Sequence, residues 1–192
     1  SKRKTIYTMK RLVLILMLTI AALSAYAQRG SKGQHTAAFT YGCNFTADKA
    51  WTTSLSYSNY RLYGTLDADF TYNHCEGSYK TYGAPVNNYM LSGGYSQRLI
   101  QNYRRTFILY AGINAAIGYT QCNKGDSKLA DGILLTTKEE VSYAIAPALK
   151  MDWFVSKLFG FTFRVQDMIF IKSDLMQSHN AMASLGFKYL IQ

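Results

Sequence analysis

The chain has 192 residues, of which 17% are charged and 15% aromatic, and it contains 16 tyrosines but only 2 prolines. This length favours one domain, and scarce proline suits paired strands, where a missing N–H leaves a ladder hydrogen bond unmade. The formal net charge of +10 owes five units to residues 1–27, which contain lysine and arginine but no acid. The remaining cations are scattered and form no basic stripe with interleaved aromatics, which argues against direct nucleic-acid binding.

The N-terminal segment has the pattern of a secretory signal peptide. Lys10-Arg11 precede a short apolar run over 12–20, and the small-residue sequence Ala25-Tyr26-Ala27 follows. A positive start, a short apolar stretch and an A-x-A site predict export and cleavage before Gln28. The alternative is a membrane anchor, but the apolar run is shorter than the ~20 residues that a spanning helix needs.

We expect translation to start at Met9, so that residues 1–27 comprise an upstream extension plus the signal peptide. Residues 28–192 form the expected mature domain. This domain contains no long apolar run, and a membrane span within it must therefore be made of strands.

The mature segment alternates between apolar and polar or small residues with the period of two that β-strands have. The run over 141–153 sets Val, Tyr, Ile, Pro, Leu, Met and Trp against Ser, Ala, Lys and Asp. Eight such runs follow one another, over 36–43, 51–58, 62–72, 88–97, 106–120, 141–153, 159–166 and 183–191. Because lipid contacts the outside of a membrane barrel while its lumen is polar, the sequence predicts an all-β fold, an eight-stranded antiparallel up-and-down transmembrane β-barrel.

The connecting segments alternate in length. After the first, third and fifth runs they are longer or more polar (44–50, 74–84 and 121–138), and after the second, fourth and sixth they are shorter (58–61, 98–105 and 155–157). The link after the seventh run, over 172–178, is short but polar. Short periplasmic turns and long external loops are the asymmetry of outer-membrane barrels. Most runs reach the ~9–11 residues that a tilted strand needs to cross the bilayer, and the first two fall slightly short.

Several charged or amide side chains fall on the predicted inner face: Asp67, Asp69, Lys150, Asp152, Arg164, Gln166 and Lys188. The lumen of so narrow a barrel is filled by side chains. Opposite charges there are expected to pair with one another, because an unpaired buried charge is costly. We prefer this interpretation to a catalytic or conducting role.

Aromatic residues recur near the ends of the lipid-facing positions: Tyr41, Trp51, Tyr57, Tyr72, Tyr95, Tyr119, Tyr143, Trp153 and Tyr189. Such positions are typical of the aromatic girdles at the two membrane interfaces. A sugar-binding platform is the competing interpretation, and the lipid-facing placement disfavours it.

Cys43, Cys75 and Cys122 all fall at the outer ends of odd-numbered strands. Cys75 with Cys122 is one candidate disulfide, although connectivity cannot be deduced from the sequence. His74 and His179 share this rim, which raises the hypotheses of a metal cluster or a histidine base. No CxxC, HxxxH or GxSxG spacing supports either hypothesis, so we predict no metal, no cofactor and no catalytic residue.

The second half of the chain has the most particular sequence. It contains a Gly-aromatic strand over 105–119, the segment Lys128-Leu-Ala-Asp-Gly132, a Lys-Glu-Glu start at 138–140, and the closing run 184–191. In these segments the chain resembles the TraO family of conjugative-transposon proteins, whereas the first half departs more from the family pattern. The resemblance implies a role in assembling a type IV secretion-like conjugation apparatus at the outer membrane, where single-stranded DNA leaves the donor cell. It implies no catalytic residues.

The leading hypothesis is a structural, non-enzymatic component of a conjugative transposon's DNA-transfer apparatus. Its expected partners are outer-membrane lipid and other proteins of the apparatus, with no direct nucleic-acid contact and no small-molecule substrate. One alternative is a general outer-membrane barrel for adhesion, stability or immune evasion. Another is a lipid-modifying barrel enzyme that uses His74 or His179.

Overall fold

The computed structural model describes residues 32–46, 48–79, 82–123, 139–173 and 175–191, with only the backbone described at 48, 49, 76–79, 82–84 and 172. The predicted signal peptide lies outside these residues, as do its cleavage site at Ala25, Ala27 and Gln28 and the 128–138 segment of the family resemblance. No helix among the described residues is long and apolar enough to span a membrane.

Eight antiparallel strands close into one barrel: β1 (His35–Asn44), β2 (Asp48–Tyr60), β3 (Gly64–Tyr79), β4 (Tyr82–Gln101), β5 (Phe107–Cys122), β6 (Glu139–Phe154), β7 (Phe159–Lys172) and β8 (His179–Ile191). Each strand pairs with its neighbour in sequence, and β8 pairs with β1, so the sheet has no open edge. The predicted fold is confirmed.

The strands are strongly staggered around the barrel. Starting at Gln34, just before β1, and stepping from each residue to its paired residue on the next strand, one returns to the first strand at Asn44. The return point is ten residues from the start, so the shear number of the barrel is ten. With eight strands this geometry leaves an interior just wide enough for side chains to fill.

The two faces of the sheet have the polarity of a membrane protein. Large apolar side chains are exposed on the outside at mid-strand, as in Leu55, Leu91 and Phe187. Threonine, serine, aspartate and lysine are buried on the inside. This distribution is the reverse of a water-soluble domain and is the one that lipid outside and a polar lumen require.

The barrel has two different ends. The start of β1, the end of β8 and the connections 61–63, 102–106 and 155–158 lie at one of them, which we call the turn end. The opposite end, where β1, β3, β5 and β7 finish, is called the loop end.

The loop predicted over 74–84 is wrong, because β3 continues to Tyr79 and pairs there with Tyr82 of β4. Backbone pairing continues in this segment although its residues no longer alternate between apolar and polar, so the pattern that revealed the strands gives no signal there. The link predicted over 172–178 agrees with the structure, in which β7 ends at Lys172 and β8 begins at His179.

Two side chains shape the turns of the turn end. The Asn102 side chain donates to Thr106 Oγ1 (2.7 Å) and accepts from the backbone N–H of Phe107 (3.1 Å). Arg105 in the same turn has a left-handed φ of 55°, which is uncommon for a residue with a Cβ. Ser156 Oγ accepts the backbone N–H of Phe159 (2.9 Å) and so closes the connection between β6 and β7.

We predict that Leu185→Arg destabilises the barrel by about 2–4 kcal/mol, because it places a charge at a lipid-facing mid-strand position. Leu62→Arg is the matched control, since Leu62 is similarly exposed (54% against 60%) but lies in a turn. The measurement is denaturant unfolding of the protein in lipid vesicles. Equal losses for the two variants would contradict the assignment of the outer face to lipid.

Candidate functional site in the barrel lumen

The lumen contains three ion pairs, and each joins strands that are not neighbours in the sheet. Lys150 on β6 binds Asp67 on β3, Arg164 on β7 binds Asp69 on β3, and Lys188 on β8 binds Asp152 on β6. All six side chains are at most 6% exposed. Strand alternation turns each of them inward, and closure of the barrel brings residues that are distant in sequence together.

The pair between Lys150 and Asp67 is fully hydrogen bonded. Lys150 Nζ lies 2.7 and 2.8 Å from the two Asp67 oxygens and donates to Thr65 Oγ1 at 3.0 Å. Asp67 also accepts the hydroxyls of Ser96 (2.7 Å) and Thr65 (3.1 Å). The ammonium stands 5.0 Å from the centre of the Tyr110 ring, a cation–π distance.

Asp152 is the acceptor in the second pair. Lys188 Nζ lies 2.6 Å from its Oδ2, and the hydroxyls of Tyr60 (2.9 Å) and Thr162 (2.8 Å) also donate to the carboxylate. Tyr60 was expected in a turn, but it is the last residue of β2 and its ring is buried. Its hydroxyl thus supplies part of the solvation that the carboxylate would have in water.

In the third pair, between Arg164 and Asp69, the guanidinium faces both carboxylate oxygens. The two terminal nitrogens of Arg164 lie 3.1 and 3.0 Å from Oδ1 and Oδ2 of Asp69. The contact to Oδ1 is a charge-assisted hydrogen bond, whereas the contact to Oδ2 is an ion pair without hydrogen-bond geometry. Gln166 stands apart from the three pairs, with its amide nitrogen 3.2 Å from Met182 Sδ.

Apolar clusters occupy the lumen on both sides of the charged layer. The cluster towards the turn end consists of Tyr60, Ile108, Tyr110, Phe154 and Leu190. The cluster towards the loop end consists of Cys75, Val86, Met90, Ala116, Cys122, Ala144, Ala146, Met168, Phe170, Met176 and Met182. The charged layer therefore lies between two apolar layers, and the low local dielectric strengthens the attraction within each pair.

Sequence reasoning missed the hydroxyl partners of the carboxylates and both apolar clusters. Thr65, Ser96 and Thr162 carry no sequence signal that separates them from any other inward serine or threonine. The apolar clusters do have a signal, because Met90 and Ala144 occupy inner-face positions of the alternating runs. An apolar residue on an inner face marks a layer in which the lumen is packed like a protein core.

The cysteine pairing considered above is not formed. Cys75 and Cys122 are both free, and Val86 of β4 lies between them in the ladder, paired with each. Two strand spacings separate their Cα atoms by roughly 9–10 Å, whereas a disulfide needs less than about 7 Å. Cys43 is exposed on the outer face.

The two rim histidines lie on separate strands. His74 Nδ1 is 2.7 Å from Asn87 Oδ1 on β4, and His179 Nδ1 is 2.9 Å from Asp167 Oδ2 on β7. Within the described ranges, no group of three or more His, Cys, Asp or Glu side chains could hold a metal ion.

Aromatic residues of the predicted girdles form contacts across strands. At the loop end the Trp51 ring is 6.2 Å from Tyr41 and 5.2 Å from Tyr72, which in turn is 5.0 Å from Tyr89. Tyr119 and Tyr143 are also in the loop-end half, whereas the half nearer the turn end contains Tyr57, Tyr95, Trp153 and Tyr189. All face outward, and their role as interfacial anchors stays a prediction.

These features define the class of protein: a small membrane-spanning, up-and-down β-barrel whose lumen is closed by packed side chains. The profile of the family described as conjugative transposon protein TraO matches residues 27–191. The chain therefore belongs to the TraO family, and the resemblance noted in the sequence is confirmed.

Solved structures of outer-membrane proteins have the same fold. The attachment invasion locus protein Ail of Yersinia pestis is 12% identical with a TM-score of 0.54, over 84% of this chain and 100% of Ail. Neisserial surface protein A is 11% identical with a TM-score of 0.58, over 82% of this chain and 97% of that protein. At these identities the likeness concerns the fold alone. No curated protein matches the sequence.

We predict that Lys150→Met costs about 3–5 kcal/mol of unfolding free energy, because it leaves the Asp67 carboxylate buried without its cation. Lys157→Met, at an exposed turn lysine, is the matched control and is expected to change little. The double variant Lys150→Met/Asp67→Asn should recover most of the loss, since it removes both charges. Equal stability of the two single variants would mean that water reaches the charged layer.

We also predict that peptide mapping of the folded, unreduced protein finds no peptide linked through Cys75 and Cys122. The intervening β4 strand keeps the two backbones too far apart. Recovery of that linked peptide in high yield would contradict the pairing of β4 with both β3 and β5 at Val86.

Proposed function

We propose that this protein is a structural, non-enzymatic component of a conjugative transposon's DNA-transfer apparatus, embedded in the outer membrane. The observation that carries the proposal is the family match over 27–191. The likeness of the fold to outer-membrane barrels supports the location, as does the apolar outer face.

The packed lumen supports a structural role over a conducting one. Three ion pairs and two apolar layers fill the space through which a solute or a DNA strand would have to pass. DNA is therefore proposed to cross the membrane through other components. Partners can therefore contact only the two ends and the outer wall of the barrel. The proposed partners are other proteins of the apparatus.

The two alternative functions have less support. A lipid-modifying enzyme would need a base and a nucleophile or activated water together, whereas His74 and His179 lie on β3 and β8 and contact an amide and a single carboxylate. A general barrel for adhesion or stability has the same architecture, and genetics separates it from a transfer role.

The test is the mating efficiency of a donor strain that lacks the gene, complemented in trans. We expect transfer to collapse in the deletion strain and to be restored by the full-length copy. A copy lacking residues 128–138, between β5 and β6, is expected to fail if that segment contacts the apparatus. Unchanged transfer without the gene would contradict the proposal and favour the general barrel.

The 128–138 deletion needs a control for folding. The variant barrel should show the same heat-modifiable electrophoretic mobility and the same outer-membrane level as the wild type. Loss of transfer together with loss of the folded band would report misfolding, and only loss with a normal folded band assigns a function to the segment.

A further inference from the structure

The described side chains at the turn end include cations but no acid. We call Lys32, Arg61, Arg98, Arg104, Arg105 and Lys157 the basic collar. Segments 32–34, 61–63, 98–106 and 155–158 contain no aspartate or glutamate. Four of the six collar side chains are exposed, and Arg98 and Arg105 are half-buried.

The collar reflects a division of charge along the whole barrel. Of the 11 acids in the sequence, three are the lumen partners of the ion pairs. The other eight all occur in sequence towards the loop-end limits of the strands or between those limits. Lysines are also present there, so positive charge without neighbouring acids is specific to the turn end. A surface on which one sign of charge predominates attracts ions of the opposite sign.

Apolar side chains are interleaved with the collar and are themselves exposed. Tyr103, between Asn102 and Arg104, is 94% exposed, and Tyr63, two residues after Arg61, is 65% exposed. Leu99 and Ile100, at the turn end of β4, are 53% and 59% exposed. This apolar surface continues the lipid-facing wall of the strands, and a cation next to it matches the boundary between acyl chains and phosphates.

The turn structure holds these two kinds of side chain in a fixed arrangement. The Arg98 guanidinium donates to the Leu62 carbonyl, and the Arg98 backbone N–H donates to the Tyr63 carbonyl at 2.8 Å. The β2–β3 turn is thereby fastened to β4. This contact holds Arg98 beside the turn that contains the exposed Leu62 and Tyr63.

We propose that the basic collar binds the headgroups of anionic phospholipids in the leaflet at the turn end. Arginine and lysine recognise phosphate by charge-assisted hydrogen bonds, and anionic leaflets attract basic segments that lie next to a membrane span. The interleaved tyrosine, leucine and isoleucine favour lipid over a soluble acidic protein. They extend the lipid-facing wall of the barrel up to the cations, and a binding site for a soluble protein would not require this. The proposal goes beyond the role in transfer and holds even without it.

The two tryptophans of the chain allow a direct test, because they lie at opposite ends of the barrel. Trp153 pairs with Phe107, between the turns that carry Arg105 and Lys157, whereas Trp51 pairs with His74 near the loop end. The protein with Trp51→Phe reports on lipid beside the collar, and the protein with Trp153→Phe reports on the loop end. Each is reconstituted in phosphatidylcholine vesicles with an equal fraction of brominated phosphatidylglycerol or brominated phosphatidylcholine, and tryptophan quenching is measured.

We expect brominated phosphatidylglycerol to quench Trp153 more than brominated phosphatidylcholine does, and Trp51 equally with both. The excess quenching should disappear in Arg61→Gln/Arg104→Gln/Lys157→Gln and at high salt. It should persist in the matched control Lys124→Gln/Lys128→Gln/Lys138→Gln, which removes the same charge between β5 and β6. Equal quenching of all variants by brominated phosphatidylcholine, in vesicles without phosphatidylglycerol, establishes that each one is folded.

Two results would overturn the proposal. The first is equal quenching of Trp153 by the two lipids, and the second is an excess that survives the collar variant. Equal quenching together with binding of soluble polyglutamate that the collar variant loses would identify the collar as a docking site for an acidic protein instead.

Discussion

The structure depends on one constraint: in a bilayer, backbone N–H and C=O groups have no water to bond with and must bond to each other. Eight antiparallel strands meet this constraint because the pairing of β8 with β1 removes the last sheet edge. Closure with a shear of ten residues then sets the width of the lumen. The inward side chains must fill that width, so closure limits their total volume.

The main effect of the ion pairs is to fix the register of the strands. Buried ion pairs contribute little net stability, because desolvation offsets their attraction. They do penalise a slip of one residue, which would move Asp67, Lys150 and their partners from the lumen into lipid. Their positions on β3, β6, β7 and β8 connect walls that share no backbone hydrogen bonds. The three pairs therefore couple parts of the barrel that the sheet alone would leave independent.

Alternation in sequence was sufficient for the number of strands, their order and their inner and outer faces, since a membrane barrel imposes both faces on every strand. It could not identify ionic partners, because the paired residues are 36 to 95 positions apart and only the closed barrel brings them together. It also misplaced Tyr60, and it ended β3 too early, since segment 76–79 has no apolar face. The disulfide hypothesis failed because the predicted connecting segments 74–84 and 121–138 contain the two cysteines, whereas the structure has Cys75 in β3 and Cys122 in β5, each paired with Val86 of β4.

Because the lumen is filled, partners can contact only the two ends and the outer wall of the barrel, which agrees with the structural role proposed for it in the conjugation apparatus. If the ion pairs and the two apolar layers close the lumen, the barrel does not conduct ions. Single-channel recording of the refolded protein in a planar bilayer is the measurement that decides this. We predict no discrete conductance steps over the range of voltages that the bilayer tolerates. Regular steps that change in size when Lys150 or Arg164 is replaced would show an open, water-filled lumen and would contradict this prediction.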